Sequence, residues 1–319
     1  MRIPVSRLVQ STALPAGILF VAFTVLNTAL SPSFMTIRAW EGFLQSTIPV
    51  TLLSFGQALV LIGGGIDISV GSVVSVVNTI MATMSSADGP AALPIVVSMA
   101  AALGFGFLNA FLVGYLRITP LLATFATSFI GNGLALTILA TPGGSVPGVL
   151  SDLYYTKVFD VIPVPLLLGL GVLLLWGFIR RTPLGLAVYV TGHNAEKAYF
   201  SGQNVVAAGM FTYVFSGFVA GIAGIAASSN FGGGDPRVGI SMTLTSVAAC
   251  VIGGIDLAGG SGTLVGAALG SIVLYEIIVT ILGMGIAGYY QDLANGLVVM
   301  GGIALAVLAR RRARAREAY

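Results

Sequence analysis

Long apolar runs, each about the length that crosses a bilayer, follow one another along almost the whole chain. A transmembrane helix needs roughly 17–25 mostly apolar residues, and a window of that length finds ten such runs. Only 8% of the 319 residues are charged, whereas an average soluble domain has about a quarter. So few polar groups cannot cover a water-exposed surface. A water-soluble enzyme is therefore excluded, and the sequence predicts an all-α integral membrane protein.

The predicted spans are numbered one to ten in chain order. They cover approximately residues 13–30, 44–63, 70–86, 92–116, 121–140, 162–179, 207–229, 241–255, 263–283 and 293–309. The third and eighth begin beside glycine-rich breaks and carry several hydroxyl groups. Each is interpreted either as a complete span or as a half-helix or re-entrant segment, which is tolerated only where protein or a water-filled cavity shields the backbone. Residues 1–319 are predicted to form a single transmembrane domain.

Lysine and arginine lie mostly on one side of this topology. With a cytoplasmic N-terminus, only Arg38, Lys157 and Arg237 of the 14 basic residues fall outside. The other eleven fall inside: Arg2, Arg7, Arg117, Arg180, Arg181, Lys197, Arg310, Arg311, Arg312, Arg314 and Arg316. Positive residues are retained on the cytoplasmic side, so both termini are predicted to be cytoplasmic. The basic tail, residues 310–319, is expected to lie beside anionic lipid.

The chain lacks the residues of a self-contained ATPase or a metal site. Its two lysines, Lys157 and Lys197, do not follow glycine, so no Gly-Lys-Ser/Thr phosphate-binding loop exists and another polypeptide must hydrolyse any ATP. His193 and Cys250 are each the only residue of their type, and they provide no metal-ligand set. We therefore expect no catalytic residue, metal or cofactor in this chain.

Glu276 is the only acidic residue well inside a predicted span. Asp67, Asp256 and Asp292 lie at predicted span ends, where a carboxylate accepts from free helical N–H groups. Glu276 either hydrogen-bonds to a neighbouring helix or serves a self-sufficient, ion-coupled secondary carrier. A third alternative is a non-transporting receptor or scaffold, against which the polar stripes described below argue.

One glycine-aspartate pattern occurs twice. Residues 64–72 resemble residues 253–261 position by position. In each copy, paired glycines end one span, and Asp67 or Asp256 is positioned to cap the next. The span count places both turns at the cytoplasmic face, where they are either tight turns only or traces of an internal repeat.

A short helix is predicted in the longest cytoplasmic insertion, about residues 180–206. Asn194 is a good N-cap, and Gly202 is suited to stop the helix after about seven residues. Such a helix is too short to cross a bilayer. It carries Tyr199 and Phe200 in otherwise polar surroundings, so these rings are expected to be buried against the protein's own span ends or against a cytoplasmic partner.

Four predicted spans carry polar stripes at helical spacing. A path for a polar solute needs hydroxyl and amide groups that face water. Serine and threonine commonly bond back to their own helix, so the amides Gln57, Asn78 and Asn132 are the stronger candidates. The predicted path residues are Gln57, Asn78, Thr124, Ser128, Asn132, Ser241 and Thr245.

Several motifs occur in an order typical of one transporter family. They are Gly64-Gly65-Ile66-Asp67-Ile68-Ser69-Val70-Gly71-Ser72, Asn109, Ile118-Thr119-Pro120, Thr182-Pro183-Leu184-Gly185, Gly192-His193-Asn194 and Ala248-Ala249-Cys250-Val251-Ile252-Gly253-Gly254. Through these motifs, residues 55–305 resemble the ribose-type (carbohydrate uptake class 2) permease subunits of bacterial ABC importers. The residues that carry the family motif are Gly64, Gly65, Asp67, Ser69, Gly71, Asn109, Pro120, Gly253 and Gly254.

The resemblance implies a dimeric permease of the bacterial inner membrane, either homomeric or paired with a related subunit. It implies the type II (vitamin B12-importer-like) fold with about ten helices, and import of a monosaccharide or related polyhydroxylated solute by alternating access. Its implied partners are a periplasmic sugar-binding protein and a cytoplasmic ATPase with two fused nucleotide-binding domains, which would bind ATP and Mg. The short helix then becomes the coupling element to that ATPase, formed with Thr182, Gly185, Gly192, Asn194, Glu196, Tyr199 and Gly202.

Overall fold

The computed structural model describes residues 13–84 and 86–285, together with six isolated positions between 290 and 301. Most of the predicted tenth span, 293–309, lies outside the described residues, as do Asp292, Arg2, Arg7 and the basic tail. Most of the described chain is helical, with one short two-stranded antiparallel ribbon. The described part therefore agrees with an all-α membrane protein.

Twelve helices are described, and they are labelled here in chain order. They are α1 Leu14–Leu30, α2 Ile37–Ile62, α3 Val70–Thr83, α4 Ala92–Ala110, α5 Pro120–Ile138, α6 Gly148–Tyr155, α7 Val164–Ile179, α8 Pro183–His193, α9 Ala195–Phe200, α10 Val205–Phe231, α11 Gly239–Ile252 and α12 Leu264–Gly283. A 3₁₀ turn, Pro32–Met35, precedes α2, and a π turn, Phe111–Tyr115, extends α4. The ribbon strands are β1 Lys157–Val158 and β2 Ile162–Pro163.

Five of these helices are long and apolar enough to cross a membrane: α2, α4 with its π turn, α5, α10 and α12. The pair α7 and α8 forms a sixth candidate, but the two helices are bent by 87°. The apolar helices α1, α3 and α11 are shorter than the usual span. Ten complete helices and the type II fold therefore remain predictions.

The helices α2 and α10 pack closely at the centre of the molecule, because small residues let their backbones approach. A Cβ atom added to Gly56 would lie 3.1 Å from Ser216 Cα, and one on Gly63 would lie 3.0 Å from a Thr212 methyl group. Gly56 faces Ser216, whereas Gly63, further along α2, faces Thr212, which comes earlier on α10. The two helices are therefore antiparallel. From Thr47 to Ile62 the helix α2 is wholly buried, and this part forms the centre of the core.

The third and eighth predicted spans are half-helices. At 1.5 Å per residue, the 14 residues of α3 and the 14 of α11 reach about 21 Å, less than the roughly 30 Å hydrocarbon core. Residues 63–69 lead from the end of α2 to the start of α3, and residues 232–238 lead from α10 to α11. These connections are called the first and second re-entrant segments.

The two half-helices meet at their N-termini and cap each other. The Gly71 N–H group donates to Thr243 Oγ1 at 3.2 Å, and the Gly239 N–H group donates to Ser75 Oγ at 3.0 Å. The backbones of Gly71 and Gly239 touch at this point, where a Cβ atom on either residue would overlap the other chain segment. Helix N-termini inside a bilayer must satisfy their donors within the protein, and this exchange does so.

The re-entrant segments belong to an inverted repeat that the sequence analysis missed. The pattern Gly64-Gly65-x-Asp67-x-x-Val70-Gly71 recurs as Gly232-Gly233-x-Asp235-x-x-Val238-Gly239. Gly64 and Gly232 both adopt the left-handed conformation, with φ of 86° and 70°. The helices that precede them, α2 and α10, begin at Ile37 and Val205, which also correspond when the two patterns are aligned. Since α2 and α10 are antiparallel, the two copies have opposite orientations.

The sequence analysis predicted that residues 64–72 repeat at 253–261. In the structure, the helices that precede these two segments end alike, but the helices that follow them begin differently. The two helix ends match one residue out of register with the sequence repeat: Gly63 and Gly253 follow the helices, Gly64 and Gly254 are both left-handed, and the backbone bonds are the same. The prediction that Asp256 caps the next helix is wrong: Asp256 accepts from Ala258 N, whereas Thr263 caps α12. A glycine-rich loop separates Asp256 from α12, so its carboxylate is used within the loop.

Backbone contact between α4 and α10 provides a test of the packing. In Gly217→Ala, the added methyl group would lie 2.6 Å from Ala102 O and 2.8 Å from Gly106 Cα, so we expect the variant to lose about 1–3 kcal/mol of stability. Gly209→Ala is the control, because no atom lies within 4 Å of the added methyl group. Thermal unfolding of the detergent-solubilised protein measures both, and equal midpoints would contradict the packing.

Candidate functional site: two re-entrant segments and an elbow

The first re-entrant segment is held by a buried polar network around Asp67. Asp67 Oδ1 accepts from the Ser69 N–H group at 2.9 Å and from Ser69 Oγ at 2.6 Å. Asp67 Oδ2 accepts from Ser216 Oγ of α10 at 3.0 Å. Asn109 Nδ2 of α4 donates to Ser69 Oγ at 2.8 Å. Both oxygens of the buried carboxylate are thus satisfied, as burial of a charged or polar group requires.

Helix α5 completes this network. Thr127 Oγ1 donates to Asn109 Oδ1 at 2.7 Å. Thr124 Oγ1 donates to Ile66 O at 3.1 Å and accepts from the Ile68 N–H group at 3.1 Å. Pro120 begins α5 at a position where its missing N–H group costs nothing. The family-motif residues from Gly64 to Pro120 therefore assemble around one segment, while Gly253 and Gly254 end α11.

The predicted path residues do not come together at one place. Gln57, Asn78 and Thr124 are fully buried, and Ser128 is nearly so. Asn78 holds the second re-entrant segment: its Nδ2 donates to Gly233 O at 3.1 Å, and its Oδ1 accepts from Asp235 N at 2.6 Å. Thr124 holds the first segment. Their part in a solute path remains a prediction.

The remaining predicted path residues lie in different surroundings. Ser128 Oγ donates to Phe125 O of its own helix at 2.7 Å. The Gln57 amide and Asn132 Oδ1 are buried without a hydrogen-bond partner among the residues that the structure describes. On α11, Ser241 is exposed and Thr245 is half-buried, with Thr245 Oγ1 donating to Ser241 O at 2.9 Å.

The predicted short helix is present as α9, and its caps are as expected. Asn194 Oδ1 accepts from the Lys197 N–H group at 2.8 Å, and Gly202 follows the helix with a left-handed φ of 78°. Glu196 lies in the first turn. Tyr199 and Phe200 are 70% and 78% exposed, so the described part of the protein does not bury them. The two rings are therefore free to contact a partner as far as the described residues are concerned.

The bend between α7 and α8, together with α9, forms an elbow that touches both glycine turns. Thr182 Oγ1 caps α8 by accepting from Gly185 N at 3.4 Å, and Gly185 packs against the backbone at the end of α7. At the other end of α8, the Gly192 backbone contacts Ile62 O and Gly260 N, which are themselves joined by a 2.8 Å hydrogen bond.

Glu276 joins α12 to α1. Its Oε1 accepts from Thr24 Oγ1 at 2.6 Å, and its backbone carbonyl accepts from Asn27 Nδ2 at 3.0 Å. Thr280 Oγ1 donates to Asn27 Oδ1 at 2.8 Å. Glu276 Oε2 is buried and has no hydrogen-bond partner within the described residues. These bonds match the first of the two roles that the sequence left open for Glu276, a hydrogen bond to a neighbouring helix.

The family described as the permease component of branched-chain amino acid transport systems matches residues 40–308. The chain belongs to this permease family. It is 29% identical to the autoinducer 2 import system permease protein LsrC of Yersinia enterocolitica over 92% of this chain and 81% of that protein. It is 28% identical to the ribose import permease protein RbsC of Bacillus subtilis over 90% and 89%. The RbsC of Haemophilus influenzae is 28% identical over 88% and 90%.

These comparisons confirm the resemblance to ribose-type permeases. Import permeases are transport subunits and not enzymes, and the comparisons do not favour the self-sufficient carrier. The family and the apolar helices agree with a multi-pass protein of the inner membrane. The sequence analysis missed Ser216, Thr127 and Asp235. Asp235 could have been found from the glycine-aspartate pattern, which recurs in the second re-entrant segment.

The link between Asp67 and Ser216 gives a prediction. Ser216→Ala removes the donor to a buried carboxylate oxygen, so we expect a loss of about 1–3 kcal/mol in unfolding free energy. Ser229→Ala is the matched control on the same helix, because the only hydrogen bond of the buried Ser229 hydroxyl within the described residues is to Ile225 O of its own helix. Thermal unfolding distinguishes the two, and an equal loss in both variants would contradict the role of Ser216.

Proposed function

We propose that this chain is the permease subunit of an ATP-driven importer for a monosaccharide or related polyhydroxylated solute. The observation that carries the proposal is the family match over residues 40–308, together with ribose and autoinducer 2 import permeases among the relatives. The chain has no Gly-Lys-Ser/Thr phosphate-binding loop, so a separate ATPase subunit hydrolyses ATP. Solute crosses without covalent chemistry, as the subunit alternates between outward-open and inward-open states.

The helix α9 is proposed as the contact with that ATPase, a subunit with two fused nucleotide-binding domains. Its support is the pairing of a well-capped helix with two exposed aromatic rings, since aromatic residues often anchor interfaces. Thr182, Gly185, Gly192 and Asn194 shape the elbow that presents α9. Glu196 and Gly202 fix its two ends.

A permease subunit of this kind works with further proteins. A periplasmic sugar-binding protein delivers the solute, and a second permease subunit, identical or related, completes the path. Both termini lie in the cytoplasm, with α9 on that side, and the full chain has about ten helices in the type II arrangement. The end of α10 and the second re-entrant segment then face the periplasm.

The experiment that tests the coupling role replaces both exposed rings. We expect Tyr199→Ala with Phe200→Ala to weaken co-purification of the ATPase subunit about tenfold or more, and to abolish solute-stimulated ATP hydrolysis. Phe159→Ala is the control, because Phe159 is 88% exposed in the β1–β2 turn. Full assembly and full stimulation in the double variant would refute the role of α9.

The self-sufficient carrier makes the opposite prediction about the isolated chain. We expect no ion-driven sugar uptake by liposomes that contain only this protein, and uptake only when the partner subunits, the sugar-binding protein and ATP are all supplied. Glu276→Gln is expected to lower thermal stability, because it weakens the contact between α1 and α12. Ion-driven uptake by the protein alone, lost in Glu276→Gln, would favour the carrier.

A further inference from the structure

The two copies of the inverted repeat use the same aspartate differently. In both copies, one carboxylate oxygen accepts from the backbone N–H group two residues later: Asp67 from Ser69 at 2.9 Å, and Asp235 from Arg237 at 2.8 Å. The second oxygen of Asp67 accepts from Ser216. Among the described residues, no hydrogen bond or ion pair occupies the second oxygen of Asp235.

The repeat itself accounts for this difference. When the two copies are aligned, the position that corresponds to Ser216 is Ile48, which has no hydrogen-bonding side chain. The position that corresponds to Ser69 is Arg237, whose side chain is exposed. The first aspartate is therefore enclosed by donors, whereas the second is left partly exposed.

Asp235 lines a cavity at the end of the molecule opposite α9. The cavity has a volume of about 310 Å³ and is lined by Phe231, Gly233, Gly234, Asp235 and Val238. Ligand cavities begin at about 300 Å³, so this one suits a solute the size of a single sugar ring. Phe231 is 61% exposed and offers an aromatic ring beside the carboxylate.

The backbone around the cavity is held in place from both sides. Gly234 and Gly143 exchange two hydrogen bonds of 2.9 and 3.0 Å, and Val146 N donates to Gly232 O at 3.1 Å. Asn78 holds the other side through Asp235 N. Polar groups fixed in this way bind a ligand without first having to be ordered.

We infer that the Asp235 cavity is an entry site that binds a neutral polyhydroxylated solute before it crosses the membrane. The free carboxylate oxygen accepts from solute hydroxyl groups, and Phe231 and Val238 contact the apolar C–H face of the ring. Asp235 and Arg237 carry opposite charges two residues apart, so the segment has no net charge with which to attract a cation. This inference rests on the proposed function and adds the site at which the permease receives the solute from the binding protein.

Cysteine labelling tests the site without knowledge of the natural solute. We expect Val238→Cys to react with the membrane-impermeant reagent 2-sulfonatoethyl methanethiosulfonate, added to the periplasmic side of vesicles that contain the assembled importer. Ser229→Cys is the control that should not react, because Ser229 is buried on α10. Native Cys250 is fully buried and should give no background.

Sugars are then added as competitors. At least one of a panel of neutral pentoses, hexoses and polyols, ribose among them, is expected to slow labelling of Val238→Cys in proportion to the occupied fraction. Tetramethylammonium chloride at the same concentration is expected to leave the labelling rate of Val238→Cys unchanged. Absence of labelling, absence of protection by every sugar, or protection by the cation would overturn the site.

A substitution of the carboxylate gives the second measurement. Asp235→Asn retains the oxygen that accepts from Arg237 N but removes the charge, so we expect the KM for uptake of the protecting sugar to rise about tenfold with thermal stability unchanged. Asp152→Asn, an exposed acid on α6, is the control. An unchanged KM in Asp235→Asn would contradict the site. An importer that takes up no sugar at all would instead contradict the proposed function. In that case, the labelling of Val238→Cys would still show whether the cavity is accessible from the periplasmic side.

Discussion

The structure depends on how two helices can begin inside a bilayer. Each helix start carries N–H groups without helical partners, and hydrocarbon offers no water to satisfy them. Here α3 and α11 satisfy each other, through Gly71 with Thr243 and Gly239 with Ser75. The close approach requires glycine at both starts. The re-entrant segments, their repeated pattern and their polar anchors all serve to bring these two starts together.

Part of this arrangement follows from the sequence. The third and eighth apolar runs each begin after a glycine-rich break, which left a complete span and a half-helix as the two alternatives, and the 14-residue helices α3 and α11 decide for the half-helix. Asn194 and Gly202 correctly predicted the bounds of α9, since caps act locally and need no tertiary context. The family motifs correctly indicated the permease family. Local backbone chemistry and ordered motifs were therefore the reliable signals.

Other features depend on tertiary contacts that a single sequence does not show. In a membrane protein, a polar stripe faces a water path or another helix with the same spacing. Gln57 and Asn78 are fully buried within the helix bundle for this reason. The copy of the glycine-aspartate pattern at 253–261 shares more identical letters with 64–72 than the copy at 232–239 does. Both copies keep the spacing of glycine, aspartate and glycine, but only the copy at 232–239 leads directly into a half-helix, because a glycine-rich loop separates Asp256 from α12.

The reciprocal capping also restricts how the protein can move. Separation of α3 from α11 would leave two N–H groups unsatisfied in hydrocarbon, at a cost of several kcal/mol each. In the alternating access proposed above, the paired half-helices would therefore move as one rigid body, with the sliding surfaces elsewhere. The joints that remain are the glycine contacts between the elbow and the two turns, where Gly192 meets Ile62 and Gly260 without interlocking side chains. Smooth backbone surfaces of this kind can shift by small distances without repacking a core.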